Sequence, residues 1–161
     1  MHKPLAALAL VCLAAAAQAQ GVRTERTVSL TLANQIAAET VAACSATGYA
    51  VTATVVDRAG GIRAVQRADN AGPHTVSAAY DKAFTSASAR NNTQAMMEAA
   101  QKNPAAANLV HIPGFLLLGG GVPIKIGNET IGAVGVGGAP GGHLDEQCAV
   151  AALDRVKEQL K

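Results

Sequence analysis

The sequence predicts an α+β domain: an antiparallel sheet of about five strands, with helices on both faces, in a single three-layer unit. Three observations carry this. Apolar residues recur at helical spacing near both ends and in the middle of the chain. Short β-branched runs fall between them in neighbouring pairs, each joined by a tight glycine-containing turn. Strands so close together pair antiparallel, whereas a parallel sheet needs a crossover between successive strands.

Residues 1–19 read as a secretory signal peptide. His2 and Lys3 open it, Leu5 to Ala17 is an uncharged apolar run, and Ala17-Gln18-Ala19 is a small-x-small cleavage site. The run is too short for roughly 30 Å of hydrocarbon, which needs about 20 residues. Cleavage after Ala19 leaves residues 20–161 as one domain, with a periplasmic or secreted location and no membrane insertion afterwards.

Ser29 or Thr31 caps the first predicted helix, whose stripe is Leu32, Ala33, Ile36, Ala37, Val41 and Cys44, with Gly48 ending it. Tyr49 to Val56 and Ile62 to Gln66 form a hairpin about Asp57–Gly61. A polar loop, Arg67 to Pro73, precedes a helix opened by His74 or Thr75. Its core stripe reads Val76, Ala79, Tyr80, Ala83, Phe84 and Ala87, with Ser77, Asp81, Thr85, Ser88 and Asn92 opposite. A short helix spans about Thr93 to Lys102, and Ala105 to Pro113 is a connector. Phe115 to Leu118 reads as a fifth strand before three glycines. Val122 to Ile126 and Thr130 to Val136 form a second hairpin. The last helix starts near His143 and stripes Cys148, Ala152, Val156 and Leu160.

Composition excludes several classes. The formal charge is +2, and +1 once Lys3 leaves with the leader, which gives no footprint for nucleic acid or anionic membrane. Two Phe, two Tyr and no Trp mean a core of Ala, Val, Leu and Ile, and association with sister subunits would bury more apolar area. Of three cysteines Cys12 belongs to the leader. Cys44 and Cys148 remain, as a disulfide in an oxidising compartment or as two buried thiols. Both sit on apolar helix faces, so antiparallel packing of the first and last helices would bring them together.

The glycine run Gly132 to Gly142 follows a strand and opens a helix, but Pro140 stands where a dinucleotide fingerprint needs its third glycine, and no βαβ unit surrounds it. Its amides would suit an anion such as a carboxylate, with Asp145 and Glu146 already facing the helix dipole. His74, His111 and His143 lack the spacing of a zinc site. There is no G-x-S-x-G elbow. His74, at a loop–helix junction, is the candidate metal ligand, for iron in particular. Lys82 and Arg90 follow on the same helix, as cations for a ligand with carboxylate arms.

These residues carry a resemblance. Asp69 to Arg90 (DNAGPHTVSAAYDKAFTSASAR), Pro113 to Ile124 (PGFLLLGGGVPI) and Ile131 to Ala149 (IGAVGVGGAPGGHLDEQCA) resemble the GlcG/HbpS haem-binding family, and the likeness covers essentially all of residues 29–160. The Gly-Pro-His-Thr stretch resembles its secreted branch. The resemblance implies an antiparallel sheet between helices, a homo-oligomer as large as an octamer, and haem as cofactor, with degradation or sequestration in some members. It makes His74 and Thr75 candidate iron-side residues, with Lys82 and Arg90 candidates for the propionates. The leading expectation is haem sequestration or buffering without catalysis. Alternatives are an enzyme degrading haem or acting on a small carboxylate, and a sensory module binding another exported protein.

Overall fold

The computed structural model describes residues 21–161; the predicted leader lies outside the described residues. Helix α1 spans Leu30–Ser45, and the hairpin β1–β2 spans Thr52–Asp57 and Ile62–Arg67. Three helices follow, α2 (Thr75–Ala89), α3 (Thr93–Lys102) and the single turn α4 (Pro104–Ala107), then a 3-10 turn at Asn108–His111. Strands β3 (Gly121–Ile126) and β4 (Glu129–Gly137) form the second hairpin, and α5 (Gly142–Arg155) closes the domain.

The four strands lie in the order β2-β1-β4-β3, and every neighbouring pair is antiparallel. Thr52 faces Gly137 and Asp57 faces Gly132 across the central β1–β4 pair, which joins the two hairpins. Side chains alternate across the sheet. Ala53, Val55, Val134 and Val136 meet Leu32, Ile36 and Ala37 of α1 and Ala149 of α5 on one face. Val56 and Ala133 meet Ala83 and Ala87 of α2 on the other. The predicted three layers are therefore present.

Ser29 is the cap of α1: its hydroxyl accepts from the Leu32 amide at 3.2 Å. The helix ends at Ser45, and Gly48, expected to end it, instead supplies a left-handed residue in the turn that follows. Cys44 and Cys148 are disulfide-bonded, with Cα atoms 5.3 Å apart, so the bond ties the end of α1 to α5 inside one layer.

Two expectations are corrected. Phe115–Leu118 is not a strand, and the sheet is complete with four. Side-chain hydroxyls take the place of a ladder there. Thr85 accepts from the Leu116 amide at 2.8 Å, and Thr93 donates to the Leu118 carbonyl at 2.7 Å. The buried face of α2 is also rotated from the predicted stripe. Thr85 and Ser86 are buried while Val76 is 41% exposed. Their hydroxyls donate to the carbonyls of Asp81 and Asn91, so they need no water.

Small hydroxyl and alanine side chains bring α2 close to β4. A Cβ on Gly135 would collide with the Ala79 carbonyl oxygen and lie 2.5 Å from the Ala83 nitrogen, both main-chain atoms of α2. Gly135→Ala must therefore push helix from sheet. We expect a loss of about 1–3 kcal/mol, the usual cost of overpacking, read as a lower urea midpoint.

Candidate functional site

The meeting of β4, α2 and α5 leaves a cleft of about 240 Å³. Its wall is the main chain of Gly137 to Gly142, which turns from the end of β4 into α5. His74, Ala78 and Lys82 of α2 face it, with Leu118 from the segment before β3.

Lys82 is 2% exposed, the largest fully buried side chain among the described residues. Its Nζ donates to Asp145 Oδ2 at 2.7 Å and to the Val136 carbonyl at 2.8 Å. Asp145, also 2% exposed, uses its other oxygen to accept from the Ala139 amide at 3.0 Å. One carboxylate thus holds the glycine turn and the cation together. Burial pushes the Asp145 carboxyl above its ordinary value of 3.8, against the opposing pull of Lys82 and the Ala139 amide.

Lys82 therefore stands inside the domain as half of an ion pair, although its helix position reads as a solvated cation. Asp145 was missed as its partner because 63 residues separate them, and Asp145 by itself reads as an ordinary first-turn acid.

His74 sits at the cleft mouth, exposed, at the cap position of α2. Its side chain makes no capping hydrogen bond, and neither ring nitrogen has a protein partner among the described residues. The ring folds back over Gly72: a Cβ there would lie 2.7 Å from His74 Cε1. Glycine at 72 is what lets the imidazole rest against the loop.

Thr75 turns the other way. It is 1% exposed, its hydroxyl donates to the Gly72 carbonyl at 2.6 Å, and it lies 2.7 Å from the Thr52 hydroxyl on β1. Its observed work is to pin the loop that carries His74. Arg90 caps the far end of α2 in a left-handed conformation, φ 56°. Sixteen residues at 1.5 Å each place it about 24 Å along the axis from His74. The structure thus brings His74 and Lys82 to one cleft and leaves Thr75 and Arg90 outside it. Arg67 is the cation held at the loop, its Nε donating to the Ala71 carbonyl at 3.0 Å.

The other histidines lie elsewhere. His111 ends the 3-10 turn. His143 lines a separate open groove of about 420 Å³ with Gln94, Glu146 and Asp154. That groove is larger, but it has no buried cation in its lining. Among the described residues no cluster of three or more His, Cys, Asp or Glu is arranged to hold a metal ion.

A sheet between helices, with a cleft whose floor is a buried ion pair and whose wall is main chain, defines a three-layer α+β domain with a buried polar cleft at its α2–β4–α5 junction. The chain belongs to the family of haem degrading proteins HbpS-like, whose model matches residues 28–154. It is similar to the crystal structure of HbpS, at 34% identity and a TM-score of 0.80 over 88% of this chain and 98% of that one. A double mutant of Streptomyces reticuli HbpS gives 31% identity and a TM-score of 0.79, covering 97% and 98% respectively. The PduOC:haem complex shares the fold at 20% identity and a TM-score of 0.70, covering 80% and 94%.

Proposed function

We propose that this chain is an exported, homo-oligomeric haem-binding protein that sequesters or buffers haem, with His74 as the iron-side residue. Family membership supports haem-related binding. The observation that carries the site is the exposed His74 imidazole, free of hydrogen-bond partners among the described residues, at the mouth of a cleft flanked by Ala78, Leu118 and Pro140.

The fit is to part of a haem. About 240 Å³ falls below the 300–1,000 Å³ of pockets that enclose drug-sized ligands, so the cleft would take only part of a macrocycle. The lining contains no Phe, Tyr or Trp. One imidazole and an apolar flank suit one face or edge of the porphyrin, and a second copy of the chain would cover the rest. Bound haem would supply an iron able to accept an imidazole nitrogen. This chain's residues would then bind and orient: His74 would hold the iron side, and Leu118 and Pro140 would exclude water. Lys82 offers only the hydrogen-bonding capacity left by Asp145 and Val136, and Arg90 serves only a ligand bound elsewhere or shared with another copy. The disulfide fits an oxidising compartment and so supports export.

Hemin titrated into the mature chain is expected to give a shifted Soret band. His74→Ala should alter or abolish that shift and weaken binding by about tenfold or more, roughly the 1.4 kcal/mol of one lost contact. An unchanged spectrum would remove His74 from the site; a titration indistinguishable from hemin in buffer would remove haem.

A further inference from the structure

The cleft floor offers chemistry that an iron ligand does not use. Lys82 has three N–H bonds and two acceptors, Asp145 and the Val136 carbonyl. Both Asp145 oxygens are engaged, one by Lys82 and one by the Ala139 amide. The amides of Gly138, Gly141 and Gly142, all in the lining, have no protein acceptor among the described residues. Gly142 opens α5, a helix of 14 residues, so its unpaired amide carries the positive end of the helix dipole. These free amides stand beside an ammonium whose charge Asp145 offsets, so the complementary ligand group is an oxygen acceptor, and the positive end of α5 favours an anionic one.

From this we infer that the cleft is a carboxylate-binding subsite. One ligand oxygen takes the remaining N–H of Lys82, and the carboxylate lies against the amides of the glycine turn. Asp145 is a positioning residue, fixing Lys82 and, through Ala139, the turn. The carboxylate belongs either to a small free acid or to the arm of a larger ligand. The inference goes beyond the haem reading and stands without it.

The test is titration of the isotopically labelled mature chain with propionate, following the amide signals of Gly138, Gly141 and Gly142 by NMR, with 1-propanol as the uncharged control. Saturable shifts with propionate and none with propanol are expected. Lys82→Met should weaken the effect by about tenfold or more. If that variant does not fold, Lys82→Met/Asp145→Leu removes both charges together and should show the same loss. Hemin and its dimethyl ester form the second arm. Shifts with hemin alone, absent with the ester and with propionate, assign the subsite to a porphyrin arm; shifts with propionate assign it to a free acid. Silence at these amides with both propionate and hemin would overturn the inference, as would wild-type affinity in the folded, charge-free double variant.

Discussion

Asp145→Leu and Lys82→Met are each expected to cost about 3–5 kcal/mol of folding stability, because either strands a buried charge without its partner. Both side chains are 2% exposed, so little water reaches the survivor. Lys82→Met/Asp145→Leu should recover most of the loss, since an apolar pair of similar volume avoids the desolvation of two ions. Urea unfolding of the four proteins gives the coupling energy directly. Additive losses would mean that the pair does not act as a unit. The pair also leaves a pH signature. Burial raises the folded-state pKa of Asp145 above 3.8, so the folded chain holds that proton more tightly than the unfolded one. Its contribution is fully present below 3.8 and declines as pH rises through the folded value. Asp145→Asn should remove that slope.

Replacing both disulfide cysteines by alanine is expected to cost about 2–5 kcal/mol. The bond closes a loop with a sequence separation of 104 residues, and the chain-entropy estimate for a loop of about 100 residues is about 4.7 kcal/mol. Melting of the wild type with and without reductant, beside Cys44→Ala/Cys148→Ala, measures it. Cys44 is fully buried and Cys148 is 6% exposed, so reductant should act slowly on the folded chain. A double variant melting with the oxidised wild type would show that helix packing alone holds α1 to α5. A second readout follows from position. Asp145 lies one turn before Cys148 on α5, so losing the bond should broaden the amide signals of the glycine turn before it unfolds the sheet.

The fold was legible where periodicity and turn chemistry agreed. Both hairpins, all the long helices and the antiparallel pairing follow from apolar spacing and from glycines at fixed offsets, and the two cysteines sit where packing of the end helices brings them together. The fifth strand failed because Phe115–Leu118 is apolar enough to resemble one, yet its main-chain groups bond to Thr85 and Thr93 side chains. The α2 face failed because threonine and serine read as solvent-facing, while hydrogen bonds to main-chain carbonyls let them pack against a glycine-rich strand. Of the residues that line the cleft, His74 could be singled out from its place at a loop–helix junction. The pairing of Lys82 with Asp145 could not, because nothing local distinguishes a lysine that will be buried from one that stays wet.

A cleft wall made of peptide backbone constrains how the selectivity of the proposed site can drift. Exchanging side chains between Gly137 and Gly142 cannot readily re-tailor the surface a ligand meets, because peptide groups make it and tight turns hold them. Diversification is instead channelled to the rim, at positions 74, 78 and 118. A library randomised there should change what is accepted while the anchoring geometry stays constant.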